Sequence, residues 1–145
     1  MGAEENKAAI RRFIVDAWSG GNVDVIDEVV HPDVIDHNPG PGQAGGLDGQ
    51  KQVLRMFRAA FDMKITLDLL LSDGDYVIDR WTAQMKHKAD FMGIPATGKA
   101  ATITGMDISR FENGKVKELW HMEDQAGLLV QLGVIPMPGE APVAT

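Results

Sequence analysis

Cysteine is absent from all 145 positions of the chain. Its absence excludes disulfides, thiolate metal ligands and cysteine nucleophiles, and it is typical of a cytoplasmic protein. Long hydrophobic runs are also missing, and the polar start MGAEENKAAI does not resemble a signal peptide, so no membrane association is expected. Basic residues never extend beyond the pair Arg11-Arg12 in a chain of net charge −7. Nucleic acid is therefore not expected as a partner either.

Two common functional patterns are absent or incomplete. The chain has no Gly-x-Ser-x-Gly sequence, which excludes the nucleophile turn of the α/β-hydrolases. The segment GPGQAG has the letters of a dinucleotide-binding loop, but no strand precedes it, so nucleotide binding is not predicted. The composition is that of a globular protein, 44% hydrophobic and 24% charged, and its length predicts a single domain over residues 1–145.

The N-terminal part of the chain has apolar residues at helical spacing in three segments. These predict helices over Glu4–Ser19, Val23–Val30 and Asp48–Ala60. The loop before the third helix is dense in glycine and proline. Whether its Gly40–Gly49 portion closes over a pocket is left open by the sequence.

After the third helix the apolar pattern changes to alternation, which indicates strands. Four are predicted, at Ile65–Leu71, Tyr76–His87, Ala100–Phe111 and Val116–Met122. A short last helix follows, with Asp124 as its N-cap and Gly133 at its end. Three helices followed by a meander of long strands predict an α+β fold. Long twisted strands curl, so helices on the concave face would leave a cone with an open pocket.

An acid, an imidazole and a second acid lie in the last two strands and just after them. Asp107 is flanked by Met106 and Ile108, where a carboxylate is either an outward-facing residue or a functional one. His121, in the next strand, is either a hydrogen-bonded core histidine or a catalytic group. Asp124 has a structural role as a helix cap, although a cap at a pocket rim can also hold a neighbouring histidine.

The register of the hairpin decides whether these groups meet. A three-residue loop with a bulge at Gly114 would place Gly105 opposite His121 and Asp107 diagonally on the same face. A two-residue type I′ turn at Asn113-Gly114 would put Asp107 and His121 on opposite faces. We favour the bulged register because Gly105 would leave space above the imidazole.

Other polar and aromatic residues are candidates for the pocket. His31, Asp33, Asp36 and His37 match no standard metal-ligand spacing, so no metal site is predicted. Next to them, His37 and Asn38 are interpreted as polar groups at the pocket mouth, with turn formation as the alternative. The large apolar residues interpreted as core and pocket wall, able to stack on a planar ligand, are Trp18, Phe57, Phe61, Trp81 and Met85.

The run FMGIPATGKAATITGMDISRFENGKVKELWHMEDQAGLLVQLG strongly resembles the SnoaL-like polyketide cyclases of the NTF2-like superfamily, and WSGGNVDVIDEVVHPDVIDHNPGPG agrees with it. The resemblance extends from about Ala8 to Gly133. It implies an α+β cone with three N-terminal helices packed on a curved, mostly antiparallel sheet of about four to six strands. It also implies a homodimer or higher homo-oligomer through the outer sheet face, and a site without metal or organic cofactor.

The reaction implied by the resemblance is an intramolecular aldol condensation of a hydrophobic or aromatic polyketide. Asp107 and His121 fall at the positions of the cyclases' acid/base pair, but with the two residue types exchanged, while Asp124 matches. On this basis His121 is the expected base, and Asp107 its orienting partner or the proton donor. The alternatives are a non-catalytic binding module, or an isomerase, dehydratase, hydrolase or hydroxylase on the same fold.

Overall fold

The computed structural model describes residues 2–140. In chain order its elements are α1 (Ala3–Arg12), a π-helical continuation (Phe13–Ser19), α2 (Asp24–Val29), β1 (Val30–Asp36), α3 (Gly46–Ala60), β2 (Phe61–Asp73), β3 (Tyr76–His87), β4 (Ala100–Glu112), β5 (Lys115–Glu123) and α4 (Gln125–Gln131). The strands form one sheet in the order β1-β5-β4-β3-β2, antiparallel except for the β1–β5 pair. The predicted α+β fold is confirmed. No helix in the range 2–140 is long and apolar enough to cross a membrane.

The first helix is longer than α1 alone because the chain continues as a π-helix to Ser19. Apolar residues of both parts, among them Ile10, Phe13 and Ile14, pack with the concave face of the sheet in one buried cluster. The wider π-helical turn is often found beside functional sites. Here it turns Phe13 and Ile14 toward the space between the helices and the sheet.

Strand β1 is an element that the sequence analysis missed. Its sequence VHPDVID contains Pro32, which removes a backbone donor and weakens any strand signal. The proline is tolerated because β1 is an edge strand and its register shifts between Val30 and Ile35. Parallel pairing places Asp36 opposite Leu119 of β5. This pairing brings the end of β1 close to His121.

The β4–β5 hairpin adopts neither of the two expected registers. Glu112 pairs with Lys115 around a two-residue turn whose residues, Asn113 and Gly114, have φ angles of 52° and 80°, as in a type I′ turn. The register then shifts, because Phe111 pairs with Val116 while Arg110 pairs with Glu118. Lys117 is the extra residue of this bulge.

The bulge corrects the expected geometry of the acid and the imidazole. Asp107 lies directly opposite His121, so the two share a face although the turn is of the two-residue type. The favoured register was therefore wrong, since Gly105 pairs with Glu123. A turn alone would have separated Asp107 from His121, and one added residue reverses the side on which His121 lies.

Helix α4 is fixed at its start by Asp124, whose Oδ1 accepts a hydrogen bond from the Gly127 N–H at 2.9 Å. Replacing Asp124 with Ala should lower the free energy of unfolding by about 1 kcal/mol, because a backbone donor of the first turn loses its acceptor. Urea unfolding measures the change. Asp124→Asn should retain most of the stability as the matched control, and equal stability of the Ala variant would contradict the capping role.

Candidate active site

A cavity of about 100 Å³ lies between the helices and the concave face of the sheet. Most of its wall is apolar, with Phe13, Ile14, Trp18, Phe57, Trp81 and Met85 among the lining residues. Its polar residues are Asp36, Gln43, Gln50, Asp107, His121 and Glu123. A mostly apolar wall with a few convergent polar groups is the usual form of a small-molecule site.

His121 is held between two carboxylates. Its Nε2 lies 2.9 Å from Oδ1 of Asp36, and its Nδ1 lies 2.8 Å from Oε1 of Glu123. Burial lowers the pKa of His121, but the hydrogen bonds with Asp36 and Glu123 outweigh burial and raise the pKa to about 10. Both ring nitrogens therefore act as donors, and the ring is an imidazolium at neutral pH. This geometry opposes the expected role of His121 as a base, since a base needs a free nitrogen lone pair.

Asp36 is itself fixed by several donors. Its carboxylate accepts hydrogen bonds from the side-chain amides of Gln43 and Gln50 at 3.1 and 2.9 Å, and from the Asn38 N–H at 2.9 Å. Burial favours the neutral acid, but the hydrogen bonds from His121 and these groups hold the pKa of Asp36 well below its usual range. The loop and α3 thus keep Asp36 ionised and oriented toward the imidazolium.

A second acidic group lies across the sheet from His121. Asp107 accepts a hydrogen bond from the indole Nε1–H of Trp81 at 3.0 Å. It also faces Asp79, its partner in the β3–β4 register, and the two carboxyls lie within hydrogen-bonding reach of each other. Burial raises the pKa of Asp107 above its usual range, although the hydrogen bond from Asp79 and the charge of His121 limit the rise. Burial and the nearby Asp107 charge raise the pKa of Asp79 to about 9.

Gly105 makes room for the indole that holds Asp107. A Cβ at Gly105 would lie 2.2 Å from Cζ2 of Trp81, its partner in the register. The missing side chain therefore allows the indole to lie flat against β4, close enough to donate to Asp107. The space expected above His121 is instead the space occupied by Trp81.

The structure brings six of the predicted site residues to the cavity: His121, Asp107, Trp18, Phe57, Trp81 and Met85. Phe61 is not among the lining residues. Its ring is fully buried and stacks 5.0 Å from that of His87, so it is a core residue. Asp124 also lies outside the lining, because its carboxylate turns to the N-terminus of α4. The assignment of Asp124 to the catalytic group is corrected on this geometry.

The two polar residues expected at the mouth take other positions. His37 stacks on Trp120 with ring centroids 4.6 Å apart, and its Nε2 lies 3.2 Å from Oε1 of Glu118. Trp120 directly precedes His121 in β5, and neighbouring side chains of a strand point to opposite faces. Because His121 faces the cavity, the stacked rings of Trp120 and His37 lie on the outer face of the sheet. Asn38 accepts a hydrogen bond from the backbone N–H of His121 at 2.9 Å. It therefore supports the strand that carries the imidazole instead of lining the cavity.

Sequence reasoning missed three carboxylates of the site. Glu123 follows His121 by two residues, and the strand period alone places the two on one face. Asp79 gave the same signal as Asp107, an acid in the middle of a strand. Asp36 was considered only as a metal ligand. Within residues 2–140 no cluster of three or more acidic or histidine side chains has the arrangement needed to hold a metal ion.

The fold and the cavity define a small α+β protein with two hydrogen-bonded acid systems facing an apolar space. The chain matches the family model of the SnoaL-like polyketide cyclases over residues 8–132. It belongs to that family, and the resemblance seen in the sequence is confirmed.

The curated relatives and solved structures agree with this family. The chain is 27% identical to the nogalonic acid methyl ester cyclase of Streptomyces nogalater over 125 residues, 83% of this chain and 92% of that protein. It is 24% identical to the aklanonic acid methyl ester cyclase DnrD of Streptomyces peucetius over 129 residues, 84% of this chain and 87% of the relative. The structure of TsrD from Streptomyces laurentii has a TM-score of 0.85 at 26% identity, over 93% of this chain and 99% of TsrD. The chain is thus a member of an enzyme family of polyketide cyclases.

The protonation of His121 gives a direct test of the site. We expect the imidazole proton resonances of His121 to show no titration near the ordinary value of 6.5 and to titrate near pH 10 in NMR spectra. Because the folded-state pKa is raised, the associated stability is complete below pH 6.5 and is lost as the pH rises toward 10. His121→Asn assigns the resonances by their loss.

The matched variants of this test are two glutamate replacements. Glu123→Gln should lower the titration midpoint of His121, because it removes one of the two carboxylates that stabilise the imidazolium. Glu112→Gln, at the exposed end of β4, should leave the midpoint unchanged. A His121 titration midpoint near 6.5 in the wild-type protein would contradict the placement of the imidazole between two carboxylates.

Proposed function

We propose that this protein catalyses an intramolecular aldol cyclisation of an aromatic polyketide ester, with Asp107 as the base and no cofactor. The observation that carries the proposal is the placement of Asp107 in the cavity, beside the buried carboxyl of Asp79 and directly opposite an imidazolium. This arrangement supplies a proton acceptor and a positive charge on one face of an apolar space. These are the two groups that enolate chemistry needs.

In the first step the carboxylate of Asp107 removes a proton from the carbon next to a carbonyl. The C–H bond breaks, its electron pair moves into the enolate, and the proton goes to the carboxylate. Burial supports this step because it makes Asp107 a stronger base than an exposed aspartate. The hydrogen bonds from Trp81 and Asp79 orient the carboxylate toward the cavity.

In the second step the enolate carbon attacks a second carbonyl of the same molecule. A C–C bond forms, and the carbonyl oxygen takes the negative charge and then the proton held by Asp107. The imidazolium of His121 lies on the same face, and its charge offsets part of the negative charge that develops on the oxygens in both steps, although both of its N–H groups already donate to Asp36 and Glu123. No atom is gained or lost, so the product is an isomer of the substrate and needs no redox group.

The wall of the cavity supports an aromatic substrate. Trp18, Phe57 and Trp81 offer ring faces and edges to a planar molecule. The relatives' own substrates, nogalonic and aklanonic acid methyl esters, are the compounds to try first. A volume of about 100 Å³ is below the usual range of ligand pockets. With the loop that carries Gln43 in its present position, only the reacting part of such a substrate would enter.

The outer face of the sheet supports a homodimer. Its exposed apolar residues are Leu69, Leu71, Met106, Ile108 and Met122. Met106 and Met122 are neighbours in the β4–β5 register, and their exposed fractions are 57% and 71%. A contiguous exposed apolar patch of this kind marks a protein interface. A second copy of the chain would cover this patch with the same residues.

The role of Asp107 is tested by Asp107→Asn with nogalonic or aklanonic acid methyl ester as substrate. We expect kcat/KM to fall by about 10²–10⁴-fold, because the amide cannot accept the proton. Chromatography separates the ring-closed isomer from the substrate at unchanged mass. Asp73→Asn, at the exposed end of β2, is the matched control and should keep wild-type activity.

Two outcomes would contradict the proposal. Full activity of Asp107→Asn would exclude Asp107 as the base. Tight binding of both esters without any ring closure by the wild-type protein would instead identify a binding module.

The dimer is tested by Met106→Glu, which places a charge in the centre of the apolar patch. We expect the wild-type protein to sediment at twice the mass of the chain and the variant at the mass of one chain. Met137→Glu is the matched control, since Met137 is 50% exposed and lies beyond the last helix. A monomeric wild-type protein would contradict the proposed interface.

A further inference from the structure

Asp79 has no obvious structural reason to be an acid. Its side chain is on the concave face of β3, between Val77 and Trp81 in the strand period, and it is 1% exposed. Its Oδ1 is buried and receives no hydrogen bond from an N–H or hydroxyl group of the described residues. A buried polar atom without a partner lowers stability, and an apolar residue such as the valine two positions earlier would avoid this cost.

The neighbours of Asp79 leave Asp107 as the group on which it acts. The two residues are opposite each other in the β3–β4 register, and their carboxyls lie close enough for one to donate to the other. From β5, the charged groups facing Asp107 are His121 and Glu123. From the helices, the residues buried in the same cluster as Val77 are apolar, among them Ile10, Phe13 and Ile14. Among the described residues, Asp107 is thus the one ionisable group that acts on the protonation of Asp79.

We propose that Asp79 is a positioning residue. It retains its proton and donates it in a hydrogen bond to Asp107, and in this way it sets the pH range over which Asp107 acts as a base. This role rests on the proposed function, because that function assigns Asp107 as the base.

Two carboxyls that share one hydrogen bond titrate as a pair. The first proton is lost from the side of Asp107, because the resulting carboxylate accepts from both Asp79 and Trp81. The second proton stays on Asp79 until about pH 9, since its loss would leave two buried negative charges in contact. Between the two steps Asp107 is ionised while Asp79 is neutral. This interval is the working range of the base.

Two substitutions separate the parts of this role. Asp79→Asn keeps a hydrogen-bond donor but cannot ionise. This variant should therefore keep the lower ionisation step, that of Asp107, and lose the upper one, that of Asp79. Asp79→Val removes the donor, so the carboxylate of Asp107 loses a stabilising partner and its ionisation should move up by about one pH unit. Because the valine has no unpaired polar atom, it should also raise the urea midpoint of unfolding.

The indole of Trp81 reports on the pair without any substrate. Its Nε1–H donates to Asp107 at 3.0 Å, so its ¹H–¹⁵N resonance should follow the ionisation of that carboxylate. We expect two steps in the wild-type protein, the upper one near pH 9. One step at the wild-type lower position is expected in Asp79→Asn, and one step at higher pH in Asp79→Val. Trp81→Phe assigns the resonance, and Asp73→Asn is the control.

The same variants should change the pH dependence of turnover. The acid limb of kcat/KM should move up by about one pH unit in Asp79→Val and return to the wild-type position in Asp79→Asn. An unchanged indole titration in Asp79→Val, or a persistent upper step in Asp79→Asn, would overturn the role of Asp79. The NMR result stands independently of activity, so a failure of the proposed reaction is distinguishable from a failure of this inference.

Discussion

The bulge at Lys117 is the constraint on which the candidate site depends. Each residue of β5 beyond it changes face relative to an unbulged strand, because side chains alternate along a strand. His121 and Glu123 therefore face the helices, while Trp120 and Met122 face outward. Without the added residue, the imidazole would lie on the outer face and Asp107 would have no charged partner across the sheet. One backbone irregularity thus assembles the polar end of the cavity.

Two proton-binding systems with opposite tendencies then meet in this cavity. The first, Asp36–His121–Glu123, stabilises a positive charge because two carboxylates contact one ring. The second, Asp79–Asp107, retains a proton because two buried acids cannot both ionise easily. Burial disfavours charge in both: the hydrogen bonds with two carboxylates outweigh it at His121, whereas burial prevails at Asp79 and Asp107. The result is a fixed cation facing a carboxylate of raised basicity, which is the division of roles that acid/base catalysis requires.

Sequence reasoning predicted the fold class, three helices in the N-terminal part and four of the five strands. These elements carry strong local periodicity, and their bounds depend mainly on where apolar residues recur. It also selected Asp107 and His121, since a charged residue between apolar neighbours in a strand stands out. It did not find β1, whose proline hides the pattern, and it did not place Asp36 beside His121. That contact joins residues 85 positions apart and exists only through parallel strand pairing.

The sequence by itself determined the family, the helices and long strands, and the presence of an acid and an imidazole in the last two strands. The tertiary structure decided which face they share, which of them carries the proton, and which residues surround them. The physical reason is that protonation depends on burial and on hydrogen bonds from distant segments, here Asp36, Asp79 and Glu123. The register of the β4–β5 hairpin likewise depends on the bulge at Lys117, which is compatible with either type of turn at Asn113-Gly114. Local sequence patterns determine the helices and strands, whereas the packing of these elements determines which site residues meet and which of them are charged.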